Sequence, residues 1–143
     1  MALAVFAIMW GLAWWRTKGK GNLFDFDAQG EKGAFEKLLQ TYFDIIKLVV
    51  SLASASIVLL VGSSALREAK LLPSSFASPL FLLTMSIIYG ILFMAYLAIN
   101  YEAYRHQTAP YNRIKYTKNL AFGFGSLFCF FIGYLWLIII VTR

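Results

Sequence analysis

The chain has 143 residues, of which 60% are hydrophobic and 14% are charged, and its formal net charge is +6. Soluble domains average about 45–50% apolar and about 25% charged residues, so this composition argues against a soluble domain. No basic run is long or dense enough to indicate nucleic-acid binding.

The apolar residues lie in blocks, because residues 48–66, 71–101 and 119–142 contain no Asp, Glu, Lys or Arg. Each block holds the roughly 20 residues that a helix needs to cross lipid. We therefore predict an all-α integral membrane protein, with residues 1–143 as a single membrane domain. It is a bundle of four transmembrane helices, or alternatively three, with spans at about residues 2–15, 43–66, 79–101 and 120–141.

The first apolar stretch, residues 1–15, is short for a span at about 22 Å. Basic residues follow it instead of preceding it, and Trp14 and Trp15 stand where interfacial aromatic residues belong. This order favours an uncleaved first span or N-terminal anchor over a cleaved signal peptide.

A loop is predicted at residues 16–33, which are rich in glycine and acidic residues. From residue 34 onward, apolar residues recur at helical spacing with polar residues opposite. One helix is thus predicted from about residue 34 to 66, and its first part is an amphipathic extension of the second span on the cytoplasmic side. Asp44 and Lys47 are predicted to pair where this helix enters the membrane.

Two groups of polar residues lie within the second and third spans. Ser56 and Ser63 are seven residues apart and share one face of the second span. In the third span a polar stripe follows steps of three and four residues, and it consists of Ser86, Tyr89, Phe93, Tyr96 and Asn100. Such residues usually bond to a neighbouring helix or to their own backbone. The alternatives are therefore an interhelical seam and a polar conduction path.

A second polar loop is predicted at residues 101–119, after the third span. Its basic residues are candidates for contacts with phosphates or anionic lipid headgroups, and they are Arg105, Arg113, Lys115 and Lys118. Nine of the thirteen Lys and Arg residues lie in or next to this loop and the loop at 16–33. The positive-inside rule therefore predicts that both loops are cytoplasmic.

The last span carries a ridge of small residues spaced by four, which are Ala121, Gly125, Cys129 and Gly133. Small residues let a neighbouring helix approach closely, so we predict helix packing here, either within the chain or against another subunit. Cys129 is the only cysteine, which excludes an intrachain disulfide. We interpret it as a small packing residue.

Motifs typical of catalysis are absent from the sequence. No ionisable residue lies at mid-membrane, where pumps and proton relays carry them. The only histidine is His106, and no metalloprotease, hydrolase or nucleotide-binding motif occurs. We expect no enzyme activity, no metal and no cofactor.

The segment Val61-Gly62-Ser63, followed by Arg67, Ala69 and Lys70 and by a tyrosine-containing third span, resembles the RexB family of phage exclusion proteins. The resemblance covers about residues 42–100. It implies a small inner-membrane protein that acts as an oligomeric, depolarising ion channel, and it identifies no pore residue.

Two functions follow from these patterns. The first is a small oligomeric membrane protein that forms an ion-conducting or membrane-depolarising path. The second is a non-catalytic accessory or assembly subunit of a larger membrane complex. The expected partners are a bilayer with anionic headgroups and either further copies of the chain or other membrane subunits, without nucleic acid.

Overall fold

The computed structural model describes residues 2–18, 34–62, 74–106 and 112–142. These residues form four α-helices, named here in chain order as α1 (Ala2–Thr17), α2 (Ala34–Gly62), α3 (Ser74–Arg105) and α4 (Arg113–Val141). Helices α2, α3 and α4 are long and apolar enough to cross a membrane, whereas the apolar part of α1, Phe6–Trp15, is shorter than a span. The prediction of an all-α chain is therefore confirmed for the described residues. Of the four predicted spans, three have the length and composition to cross a membrane and the first does not, which matches the three-span alternative.

The helix bounds differ from the predicted spans at two places. Residues 101–105 and 113–119, predicted as loop, are helical, and Asn112 caps α4 by accepting a hydrogen bond from the Lys115 amide at 3.2 Å. Pro79, predicted to begin the third span after a turn, lies fully buried inside α3. Pro79 lacks the amide that would bond to the Ser75 carbonyl, and its ring crowds that carbonyl, so it weakens the second turn of α3 without ending the helix.

Helices α3 and α4 pack against each other in antiparallel orientation and form the centre of the bundle. Ser86 contacts Ser126 near the middle of both helices. Toward the start of α3, Leu82 lies against Gly133, and further along α3, Phe93 lies against Gly123. Residue numbers therefore rise along α3 as they fall along α4.

Helix α2 packs on α3 and also runs antiparallel to it. Val50 lies against Gly90, while Ile46, one turn earlier, clusters with Phe93 and Leu97. A second cluster joins α2 to both central helices through Val49, Ala53, Leu83 and Phe130. The apolar face of α2 is thus buried on α3, as helical spacing predicts.

Helix α1 lies along the first half of α4. The ring of Phe6 is 5.2 Å from the ring of Phe122, and Trp14, two turns later, contacts Arg113. Phe6 is also stacked 5.8 Å from Tyr89 of α3. The described part of α1 therefore begins beside the middle of the bundle and ends beside the start of α4.

The antiparallel order brings together the ends of α1 and α3 with the starts of α2 and α4. We call this the basic end, because Lys18, Arg105, Arg113, Lys115 and Lys118 lie there. Toward it on α2, Asp44 and Lys47 form the predicted ion pair at 4.0 Å, with both side chains exposed.

Candidate functional site: the polar seam between α3 and α4

The most buried polar contact in the described chain joins Ser86 of α3 to Ser126 of α4. Both residues are fully buried. The Ser86 hydroxyl donates to the Ser126 carbonyl at 2.8 Å, and the Ser126 hydroxyl donates to the Ser86 carbonyl, also at 2.8 Å. This reciprocal pair satisfies both hydroxyls without water. We call it the serine seam.

Gly90 makes the serine seam possible, because α2, α3 and α4 meet at its backbone. A Cβ atom on Gly90 would lie 2.7 Å from Cγ2 of Val50 and 3.1 Å from both Cγ2 of Ile46 and Oγ of Ser126. No residue larger than glycine fits at these distances without movement of a neighbouring helix. The seam is therefore closed on its α2 side by the side chains of Val50 and Ile46, which lie against the backbone of Gly90.

The other residues of the polar stripe of α3 contact either a neighbouring helix or the backbone of α3 itself. Tyr89 is buried, and its ring lies 3.4 Å from the Cβ position of Gly125. Asn100, also buried, donates its side-chain amide to the Tyr96 carbonyl at 2.8 Å within its own helix. Tyr96 is half-buried. The structure thus brings Ser86 and Tyr89 against α4, while Asn100 bonds to its own backbone.

The serines of α2 are not part of this seam. The Ser56 hydroxyl donates to the Leu52 carbonyl, and the Ser54 hydroxyl donates to the Val50 carbonyl, both at 2.8 Å. Such bonds to the carbonyl four residues earlier are common for serine in a helix. Ser63 lies outside the described residues, so the predicted shared face of Ser56 and Ser63 is described only at Ser56.

The small-residue ridge of α4 lies inside the chain. Ala121 and Cys129 have no exposed surface, and Gly125 and Gly133 are buried. A Cβ atom on Gly133 would lie 3.1 Å from Cβ of Leu82 and 3.3 Å from the Pro79 carbonyl oxygen. The ridge therefore packs against α3 of the same chain, which is the first of the two predicted alternatives.

Arg113, a candidate for phosphate contacts, is engaged with α1. Its guanidinium donates to the Trp14 carbonyl at 3.0 Å and lies 4.4 Å from the centre of the Trp14 ring. Carbonyls in the last turn of a helix lack partners within that helix, and Arg113 supplies one to Trp14. A cation at this position also interacts favourably with the negative end of the helix dipole. Arg113 thus holds the end of α1 against α4. Arg105 is exposed, and Lys115 and Lys118 are half-buried.

Sequence reasoning missed Ser126, although a signal for it exists. Asn119, Ser126 and Gly133 are seven residues apart and all buried, so they extend the face that the ridge occupies. Thr117 is also fully buried, and its hydroxyl has no hydrogen-bond partner among the described residues. Within the same part of the chain, no three His, Cys, Asp or Glu side chains lie close enough to hold a metal ion.

No protein-family model, no characterised protein and no solved structure matches the chain. The resemblance of residues 42–100 to the RexB family therefore remains a prediction.

Proposed function

We propose that the chain is a non-catalytic helical subunit of a membrane assembly, in which it acts as an accessory or assembly component. The observation that carries this proposal is the serine seam. A water path through the chain would need polar residues at mid-depth to line it. In this chain those residues join its own helices instead. Ser86 and Ser126 have no exposed surface and satisfy each other.

A conduction path through a single copy has no support from the packing around the seam. Water-filled paths need polar groups that remain accessible to water and ions. At Gly90 even a methyl group would overlap Val50, so the contact between α2, α3 and α4 has no room for a file of water. A conduction path would therefore have to run between copies of the chain.

The charge-free part of α4 supports membrane insertion of the bundle with the basic end at one surface. From Asn119, which follows Lys118, to Val141 the helix rises about 33 Å. This matches the roughly 30 Å hydrocarbon core. In this arrangement Arg105 and Lys118 lie near anionic headgroups of the cytoplasmic leaflet, and the exposed Trp14 and Trp15 lie at the same interface.

The proposal is tested by ion flux and by complex mass. The purified full chain is reconstituted into liposomes over a range of protein densities, and membrane potential is followed with a voltage-sensitive dye. We expect the liposomes to remain tight, and we expect the chain to migrate within a larger complex of defined stoichiometry when native membranes are solubilised in mild detergent. Flux that increases with the density of folded protein would instead support the oligomeric ion path and overturn the proposal.

A further inference from the structure

Thr117 lies on the side of α4 that faces away from the serine seam. It precedes Ser126 by nine residues, which is about two and a half helical turns, so the two side chains lie on opposite sides of α4. The level of Thr117 falls between the two aromatic contacts that join α4 to α1. Among the described helices α1 therefore covers Thr117, whose side chain has no exposed surface.

The hydroxyl of Thr117 makes no hydrogen bond to any part of the chain that the structure describes. Threonine in a helix commonly donates to the carbonyl four residues earlier, as Thr84 does to Leu80 at 2.9 Å. A buried polar group without a partner costs free energy. The contact between α1 and α4 thus carries a cost that the serine seam, with both hydroxyls satisfied, does not carry.

Helix α1 is attached to the bundle along one side only. Met9 and Ala13 are buried on that side, and Phe6 is stacked against Tyr89 of α3. The other side of α1 is exposed and apolar, with Ile8, Leu12 and Trp15. Lipid chains are as apolar as these side chains, so no hydrophobic driving force holds α1 on the bundle inside a membrane. Its attachment depends on packing and on hydrogen bonds.

The hydrogen bond from Arg113 to Trp14 lies at the outer end of this attachment. Arg113 begins α4, five residues before Lys118, and so lies about 8 Å outside the charge-free part of the helix. The bond is exposed, and water competes for such bonds. Ser126 lies 13 residues further along α4, at a distance of about 20 Å. The bond can therefore open without disturbing the serine seam.

We propose that α1 detaches from α4 as a unit while α2, α3 and α4 stay packed, and that the contact of Arg113 with Trp14 is the latch that controls this opening. The buried hydroxyl of Thr117 favours opening, because water reaches it only when α1 leaves. The serine seam and the packing at Gly90 do not involve α1, so they hold the other three helices together.

Opening of one element at a lower free energy than global unfolding is common in proteins. In this chain it would uncover one side of α4, which carries Thr117 and, one turn further on, Ala121; both are fully buried while α1 is attached. This inference goes beyond the proposed function and does not depend on it, because it concerns a single copy of the chain. Thiol labelling tests it, whereas ion flux and complex mass test the proposed function.

The first test measures the rate at which a small thiol reagent labels the full chain in lipid nanodiscs, in a Cys129→Ser background. Thr117→Cys reports on the side of α4 under α1. Asn119→Cys is the control at matched depth, because Asn119 is buried on the side of Ser126. We expect Arg113→Ala to accelerate labelling of Thr117→Cys about 5- to 10-fold, as for the loss of one exposed hydrogen bond and one exposed cation–π contact.

Labelling of Asn119→Cys should not respond to Arg113→Ala. Equal acceleration at both positions would mean that the whole bundle opens, and it would overturn the proposal. An unchanged rate at Thr117→Cys would show that the contact with Trp14 is not a latch. A thiol at this position that reacts only when circular dichroism shows global unfolding would exclude separate opening of α1.

The second test asks whether the buried hydroxyl favours opening. Thr117→Val keeps the shape of the side chain and removes the hydroxyl, so it should slow the labelling of Ala121→Cys in the same nanodiscs. Adding Arg113→Ala should restore fast labelling, because the latch acts on the same opening. Unchanged or faster labelling after Thr117→Val would contradict the role of the hydroxyl, and a helix content that differs from that of the parent chain would identify a folding defect instead.

Discussion

Gly90 offers the sharpest test of how closely the three spanning helices are packed. Replacing Gly90 by Ala adds one methyl group, which would lie 2.7 Å from Cγ2 of Val50. Ordinary contact between carbon atoms requires about 3.5–4.0 Å, so a shift of roughly 1 Å is needed. Valine is β-branched and stiff at χ1, so Val50 cannot turn away freely. The shift must come from α2 as a whole.

The same methyl group also presses on the serine seam, since it would lie 3.1 Å from Oγ of Ser126. Overpacking of this kind typically costs about 1–3 kcal/mol. If the seam opens, its two hydrogen bonds are lost as well. Each lost bond costs a further free energy of about 0.6 kcal/mol, the average for hydrogen bonds between membrane helices. We therefore expect Gly90→Ala to lower the free energy of unfolding by about 1–3 kcal/mol if the seam holds, and by about 2–4 kcal/mol if the seam also breaks.

The assay is unfolding in mixed micelles with increasing denaturing detergent, followed by circular dichroism. Gly11→Ala is the matched control, because a Cβ atom there meets nothing within 4 Å and alanine favours a helix over glycine by up to about 1 kcal/mol. Combining Gly90→Ala with Val50→Ala should recover part of the loss. If Gly90→Ala is as stable as Gly11→Ala, the close approach of α2 to α3 is wrong.

Four further predictions follow from the described contacts. Ser126→Ala should destabilise the bundle by about 0.6–1.7 kcal/mol, and no loss on unfolding would show that the seam contributes nothing. Thr117→Val should be neutral or stabilising in the same assay, because it removes a buried hydroxyl without a partner, and a clear loss would reveal a missed hydrogen bond. Arg113→Lys keeps the charge but loses the planar contact with the tryptophan ring, so we expect a change in tryptophan fluorescence and faster proteolysis of α1, and an unchanged spectrum would contradict the contact. Cysteines introduced at Lys18 and His106 in a cysteine-free background should react in intact cells only with membrane-permeant thiol reagents, and labelling by an impermeant reagent would reverse the predicted orientation.

The amino-acid pattern was sufficient for features that depend on one helix alone. The buried face of α2, its ion pair and the small-residue ridge of α4 each follow from spacing of three and four residues, although the spacing leaves open whether the ridge packs within the chain or against another subunit. The partner of Ser86 could not be found in this way, because it depends on the register between α3 and α4. That register is set by how closely Gly90 and Gly133 let the backbones approach, which is a property of two helices at once.

Two other features depend on context that a local pattern does not carry. Pro79 suggested a helix boundary, but α3 begins at Ser74 and continues through Pro79, which lies fully buried against its neighbours. The sequence predicts Arg113 only as one of four cations that are candidates for phosphate or lipid-headgroup contacts. Its contact with Trp14 joins residues 99 positions apart in the chain, so nothing near Arg113 in the sequence indicates it.

The contact of α1 with α4 has a consequence for the biogenesis of the protein. At a synthesis rate of about 5–20 residues per second, Trp14 is synthesised roughly 5–20 s before its partner Arg113. During this interval α1, whose apolar part Phe6–Trp15 is shorter than a span, lacks its contacts with α4. Docking of α1 is therefore a late event, and a chain arrested before α4 is complete would present an undocked α1.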